Sequence, residues 1–494
     1  MRAAGRLVAV STLVAGVLSA VSTPAGAATA APAWLARVNA IRIAAGLSGV
    51  TESPAWDAGL DHHLTYLEKT DPSLLTGQYA SAHTENPASP YYTSDGAAEG
   101  GSSDLAYGTS SNLDAINRWL AAPFHAIGML RPGLEQVAFF RHARSGDAGL
   151  DVLSGLTGFG IPPAAPILFP GNGATTDFVA FGGESPSPVE TCHAEHPHAD
   201  YSQAGLPIIA MLPDDPAVGL GATLSLAGGG TVSTGGPNLC VVDPNTYTST
   251  DPVYGPTGAA ILAGDRAVLL IPRTPLVNGT YSVDIAQPSQ PDISWSFTLS
   301  AALVPQNAPS IYRFGAPLRV GTVLQAEPGF WDAGGSHIYF PDMQFAYRWY
   351  AGGAPISGAT ALTYTLGPAD VGKRISVRVT ATEPGYTTGS ASSQRTALVQ
   401  PGVLTCVSRP QIVGTPKVGR RLRADSGYWQ PVTPTTFHYR WFADGEPIPN
   451  ATHRSFVLTR SQRGERVAVH VRASTAGYQP KTARSVATGP VTRR

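Results

Sequence analysis

Residues 347–386 read YRWYAGGAPISGATALTYTLGPADVGKRISVRVTATEPGY, and residues 439–478 read YRWFADGEPIPNATHRSFVLTRSQRGERVAVHVRASTAGY. Trp349 and Trp441 correspond, as do Tyr386 and Tyr478, each pair 92 residues apart. Upstream, LRVGTVLQAEPGFW (318–331) matches PKVGRRLRADSGYW (416–429), which sets Trp331 against Trp429 at an offset of 98 and makes the first copy about six residues longer. A repeat near 90 residues is the size of one β-sandwich domain, not of a solenoid unit. ISVRVTA and VAVHVRA alternate Val or Ile with polar residues, as half-buried antiparallel strands do. The D-G and G-G pairs after the Y-R-W run suit hairpins that need positive φ. Repetition of the four tryptophans fits core packing better than an exposed carbohydrate platform.

Outward from the repeat, the chain is read as 307–400 (first copy) and 408–494 (second copy). Both are similar to the immunoglobulin-like repeats of secreted actinobacterial proteins. Residues 205–302 carry further short apolar or alternating runs (LPIIAML, AVLLIP, TYSVDIA, SWSFTLS) divided by turn residues, which predict a β-sandwich. The end of the block resembles bacterial Ig-like modules, which implies a third Ig-like domain. Residues 161–204 are rich in Pro and Gly and read as a linker. The chain has 494 residues, which suits three or four domains. Its 54 glycines and 43 prolines fall between apolar runs and so point to turns in β-rich domains rather than to disorder.

Net charge is −1 and only 14% of residues are charged, so no nucleic-acid partner is expected. Arg2 and Arg6, the apolar LVAVSTLVAGVLSAV and an A-x-A site at Ala25–Ala27 read as a secretory signal, residues 1–27, cleaved after Ala27. A secreted chain with no membrane span in its mature part is the expectation. Of three cysteines, Cys192 and Cys240 bracket one β-rich region and are expected to pair in an oxidising compartment. Cys406 is left over.

The candidate chemistry lies between Ala82 and Leu130. AHTENPASPYYTSDGAAEGG (82–101) and DAINRWLAAPFHAIGML (114–130) hold His83, Glu85, Glu99 and His125 in a charge-poor setting. Imidazole and carboxylate together can bind a divalent metal, transfer a proton or fix a polar ligand. Pro123 should end or bend the AINRWL helix and leave His125 near a helix end facing a groove, with Tyr91 and Tyr92 as further candidates for its lining. In DHHLTYL, His62 and His63 point about 100° apart on a helix, so one is exposed and the other caps or packs near the cleft. HAEHPHAD (His193, His196, His198) has metal-binding residue types but no framework in a linker. Asn278 begins an N-G-T sequon. No G-x-S-x-G elbow, H-E-x-x-H helix, Walker loop or dinucleotide fingerprint occurs.

Taken over residues 32–160, HTENPASPYYTSDGAAE and WLAAPFH resemble the H…E-x-P…Y-T-x-G…A run and the W-x-x-S-P-x-H helix end of the CAP (SCP-like) superfamily. The resemblance implies an N-terminal α/β/α sandwich followed by all-β domains. It maps the family's two cleft histidines onto His83 and His125 and its first glutamate onto Glu99. The resemblance of DHHLTYL to an H-x-x-Y helix of bacterial members implies a structural pair of His63 with Tyr66. The second family glutamate has no counterpart, and Glu85 is the candidate substitute. A divalent metal (Zn or similar) on His83, His125 and Glu99 is the cofactor so implied. Three functions stay open. The first is a binder of a small molecule, lipid or cation, displayed on Ig-like spacers toward an envelope or matrix component. The second is a His/Glu-dependent or metal-assisted hydrolase of protease type. The third is a non-catalytic adhesin. The oligomeric state is not legible.

Overall fold

The computed structural model describes residues 31–313, 317–334, 340–432 and 435–493. The signal segment lies outside the described residues. The chain is multidomain and predominantly β-sandwich, with a mixed α/β head at its N-terminal end.

The head begins α1 (Ala33–Ala44), β1 (Thr51–Glu52), α2 (Asp57–Lys69), α3 (Ser94–Ser102), β2 (Ser103–Ala106), α4 (Asn112–Leu120), α5 (Pro123–Leu130), β3 (Gln136–Arg141) and β4 (Ala148–Asp151). The strands form one sheet in the order β1-β3-β4-β2, with β1 parallel to β3 and the other pairs antiparallel. Helices cover both faces. Trp34 of α1 and Trp119 of α4 pack on Phe139 at 5.0 and 6.3 Å. On the other face α2 and α3 cross closely: a Cβ at Gly59 would collide with the Glu99 side chain, and one at Gly100 with the His63 ring.

Arg42 ties α1 to α5. Although only 1% exposed, its guanidinium donates to the carbonyls of Ser48, Met129, Arg131 and Leu134. It thereby satisfies carbonyls at the C-terminal end of α5 that no helical N–H reaches. Burial draws its pKa down to about 10, so it stays charged at neutral pH.

The segment expected to be a linker, 161–204, is instead folded into the next unit. β5 (Ile167–Phe169), β6 (Thr175–Thr176) and α6 (Val189–Glu195) lie within it. They are followed by β7 (Ile208–Met211), β8 (Gly221–Leu226), β9 (Thr231–Ser233), β10 (Leu239–Val242), α7 (Gly255–Gly264), β11 (Ala267–Pro272), β12 (Gly279–Ala286) and β13 (Ile293–Leu299). Two sheets result, β10-β11-β7-β5 and β6-β13-β12-β8-β9. The sandwich therefore starts before residue 205 and carries two helices. Its prolines separate short apolar runs, Ile167–Phe169 and Phe178-Val179-Ala180, that bury almost completely. A continuous buried cluster runs from Trp34 through Val283 to Trp331, so the helical unit and the β unit share one interior. Cys192 and Cys240 form the disulfide, joining α6 to β10 with their Cα atoms 5.5 Å apart. Cys406 is free.

The two repeats adopt the same sandwich. Each has a three-stranded and a four-stranded antiparallel sheet; the latter pairs Gln344–Ala351 with Ile375–Thr382 in the first copy and Thr436–Ala443 with Val467–Ser474 in the second. Trp331, Trp349, Trp429 and Trp441 are all buried. Each copy also carries, ahead of its last strand, a Gly-Tyr turn whose glycine has positive φ, placed against what precedes it. The Gly385 carbonyl accepts from Asn278 N–H, and Tyr386 OH donates to the Leu276 carbonyl at 3.0 Å. The Gly477 carbonyl accepts from Gly402 N–H, a Cβ there would strike Pro368 of the first copy, and the Tyr478 ring lies over Gly402. The Asn278 amide is committed to this first junction through Ala301 and Thr387, so the sequon is a structural joint.

Candidate functional site

His83 and His125 line the same two adjoining cavities, of about 330 and 510 Å³, together with Ser185 and Tyr254. Asp104, Phe124, Arg131, Phe159, Pro186 and Ile261 complete the smaller one. Most of this wall comes from the helical unit, and Ser185, Pro186, Tyr254 and Ile261 come from the β unit, so the site sits on their seam.

α5 begins at Pro123, where the missing N–H costs nothing, so His125 lies in the first turn of a new helix rather than at the end of α4. No side chain of its own N-cap satisfies that turn. Glu184 does so instead, accepting from Phe124 N–H and His125 N–H and from His125 Nδ1 at 2.7 Å. Burial pulls the His125 pKa down, but the Glu184 bond and the charges of Asp104 and Glu184 outweigh it and push it up to about 8. An imidazolium results, oriented by a carboxylate.

His83 is different. Its Nδ1 lies 3.0 Å from the carbonyl of Gly100 in the last turn of α3, so the proton sits on Nδ1 and Nε2 is left as an acceptor. Burial lowers its pKa; the Gly100 bond opposes this, and the nearby His125 and His63 add to it. Tyr254, just ahead of α7, meets the His83 ring edge-on at 6.1 Å. Its hydroxyl oxygen accepts from Ala82 N–H at 2.7 Å, which leaves its own proton free to donate.

Asp104 on β2 is the unusual group. Its Oδ2 is buried and has no hydrogen-bond partner. Burial raises its pKa to about 7; His125 and Arg131 oppose the rise, while Glu184 and Asp151 add to it. Arg131, 6% exposed in its side chain, forms a bidentate pair with Asp265 at 2.9–3.2 Å and lies under Phe159 at 4.8 Å. That ion pair locks the two units together beside the cavity.

The expected glutamates are elsewhere. Glu85 accepts from His63 Nδ1 (2.9 Å) and from Thr93 N–H, buried beneath the start of α3. Glu99 turns toward α2 and Asp151; burial and the shared hydrogen bond with Asp151 raise its pKa to about 8, and the acids Asp151, Asp95 and Asp57 add to the rise. Neither lines the cavities. The trio His83, Glu99 and His125 is therefore not assembled. Among the described residues no group of three His, Cys, Asp or Glu side chains is arranged to hold a metal ion. The donor set does not fit the implied metal.

His63 is buried and stacks on Tyr66 at 6.1 Å, whereas His62 is exposed and pairs with Asp95. Tyr91 and Tyr92 are exposed but line neither cavity. A more open hollow of about 790 Å³ lies by His142, whose ring nitrogens are both taken by Asp61 (2.7 Å) and Glu68 (2.6 Å). Asp104, Glu184 and Tyr254 escape sequence reasoning; the one available signal is an acid in G-G-E-S-P-S-P, where little else is charged.

No known protein family's profile matches the chain, and no curated protein matches it. Among solved structures, a Ca²⁺-stabilised adhesin with which an Antarctic bacterium binds ice is 9% identical, covering 60% of this chain and 70% of its own, at a TM-score of 0.21. The D1–D4 ectodomain fragment of ICAM-5 is 10% identical over 58% of this chain and 74% of its own, at 0.22. The FN1–FN3 domains of chicken CNTN1 are 12% identical over 58% and 95%, at 0.16. Likeness at these scores carries no argument about function.

Proposed function

We propose that this chain is a non-catalytic extracellular binding protein. Its CAP-like head, residues 32–160, holds a small ligand in the seam cavity, and the tandem sandwiches present that head toward an envelope or matrix component. The observation that carries this reading is the partnerless Asp104 Oδ2, buried beside a neutral imidazole acceptor, an imidazolium and a free tyrosine proton. A buried carboxylate oxygen left without a donor is costly unless a ligand supplies one. A hydroxyl or ammonium group on a partly apolar molecule matches it, with Phe124, Phe159 and Ile261 as walls.

The pairing of Cys192 with Cys240 fits an exported protein. Among the described residues no helix is long and apolar enough to cross a membrane. Binding is favoured over hydrolysis because no Ser, Thr or Cys side chain hydrogen-bonds either imidazole among the described residues. The His125–Glu184 pair is the feature a hydrolase would use as base and orienter.

Native mass spectrometry of the full secreted chain, followed by organic and aqueous extraction, tests this. Wild type should release a bound small molecule, and Asp104→Asn much less. Equal recovery from both, or Glu184-dependent turnover in a peptide, ester and glycan hydrolysis screen, would overturn the reading.

A further inference from the structure

The two repeats keep one interior and differ outside. Leu324, Ala326, Trp349, Val377 and Val379 are buried in the first copy, as are Leu422, Ala424, Trp441, Val469 and Val471 in the second. Several outward positions on the same strands have gained a cation, while Arg348 recurs as Arg440 and Arg378 gives way to His470. Where the first copy has Val323, Gln325, Ala346, Thr380 and Ser392, the second has Arg421, Arg423, His438, Arg472 and Arg484. Inside, the Tyr364–Asp370 hydrogen bond gives way to Phe456 and Gln462, which removes an acid.

Charge follows the same line. Residues 408–494 hold 15 of the chain's 33 Lys and Arg and four of its 34 Asp and Glu. Residues 307–400 hold seven and five; residues 1–306 hold 11 and 25. The near-zero net charge is thus the average of an acidic N-terminal region, residues 1–306, and a strongly basic last module.

Strand register arranges these cations. On the outer face of the four-stranded sheet, Arg440 lies opposite His470 and His470 opposite Arg484, while His438 lies opposite Arg472 in the next row. Alternation puts all of them on the side away from Trp441, Val469 and Val471. Arg484 Nε donates to His470 Nε2 at 2.8 Å, and the His470 ring stacks on Phe442 at 3.9 Å between centroids. Burial and Arg484 both lower the His470 pKa, so the ring is an uncharged acceptor that fixes Arg484 against the sheet. Arg421 and Arg423 project from the opposite sheet. Among the described residues no carboxylate pairs with Arg421, Arg423, Arg440, Arg472 or Arg484, so these cations are open to an anionic partner.

We infer that the C-terminal module docks an anionic polysaccharide. Guanidinium forks suit carboxylate or phosphate repeats, and rows of them on an open sheet suit a linear polymer rather than a compact ion. Cations on both outer faces of one sandwich favour a chain that wraps it over a flat bilayer, which reaches one face only. Of the outward neighbours, Phe442 is covered by the His470 ring, and Thr436, Ala468, Ser474 and Thr482 supply no apolar wedge for lipid.

The test uses the full chain and polygalacturonate as probe. The variant R421V/R423Q/H438A/R472T/R484S puts at each site the residue the first copy already tolerates there, so its fold is kept. Wild type should bind polygalacturonate and lose affinity on the order of tenfold or more between 50 and 200 mM salt, as counterion release requires. The variant should bind on the order of tenfold more weakly at 50 mM, with a flatter salt dependence. Adding V323R/Q325R/T380R/S392R to that variant should restore binding through the first copy. Unchanged binding by the first variant, or equal binding to uncharged dextran, would overturn the inference. So would tighter binding to phosphatidylglycerol vesicles or duplex DNA, or salt-sensitive self-association of the chain without probe, which would mark the acidic N-terminal region of a second copy as the occupant.

Discussion

The head and the repeats bury different kinds of side chain. Among the described residues the head buries Arg42, His63, Glu85, Glu99, Asp104, Arg131 and Asp151, whereas the two repeats bury only Asp332 and Asp370 among acids and bases. The repeats are held by tryptophan, valine and small residues, a mode of stabilisation indifferent to protons. The head is held partly by titratable groups whose charge depends on one another, and it is there that a cavity with chemistry exists. An interior that can bind something polar is also one that pH can loosen.

The largest effect that would sharpen this contrast is Trp441→Ala, which should cost about 3–5 kcal/mol in the last module. Calorimetry should show that transition falling while the head's stays in place; a fall in both would merge the two regions into one cooperative unit. Next is Arg42→Met in the head, expected to cost about 3 kcal/mol because four carbonyls lose their donors, read as a lower urea midpoint of the head's unfolding transition. Gly100→Ala should cost about 2 kcal/mol, since the added methyl has no room beside the His63 ring.

A smaller effect carries the sign of the buried protons. His125, with a folded pKa of about 8, contributes stability that is complete below its ordinary 6.5 and is lost as pH rises through 8. Asp104 and Glu99, raised to about 7 and about 8 from 3.8 and 4.5, act in the same direction: the folded head holds protons that the unfolded chain has released. The head's Tm should therefore be lower at pH 8.5 than at pH 5.5, while the transition of the last module moves less. Asp104→Asn should recover part of the loss at pH 8.5 even as ligand retention falls. A head that gains stability toward pH 8.5 would refute the assignment of those protons. Smallest of all, His83→Ala should leave the metal content of the purified chain unchanged, because its expected companion Glu99 faces Asp151.

How much of this was legible follows the same division. Trp349 and Trp441 announced themselves by recurring, and their burial needs only a local alternating pattern. The pairing of Cys192 with Cys240 was readable from compartment and count. His83 and His125 were found by order and spacing, and they do share a cavity. Glu99 was not placed correctly, because the direction of a side chain on α3 depends on a close helix crossing at Gly59 and Gly100 that no local pattern records, and Glu85, in the loop ahead of α3, is taken up by His63 and Thr93. Glu184 and Tyr254 reach the site from segments read as linker and sandwich. The linker reading itself failed because strands of two or three residues, set between prolines, are too short to show a period. Net charge misled for a related reason: an average over 494 positions hides a module whose two faces are cationic.

The Gly-Tyr turn that each repeat carries ahead of its last strand has one more implication. Because every copy carries its own joint, duplication of the unit would extend the chain without inventing a connector, and loss of the first copy would bring Gly477 and Tyr478 onto the shelf at Leu276 and Val277 that Gly385 and Tyr386 now occupy. The distance between the ligand-holding end and the cationic end is in that sense adjustable by whole modules, a dimension that evolution or an engineer can set by copy number alone.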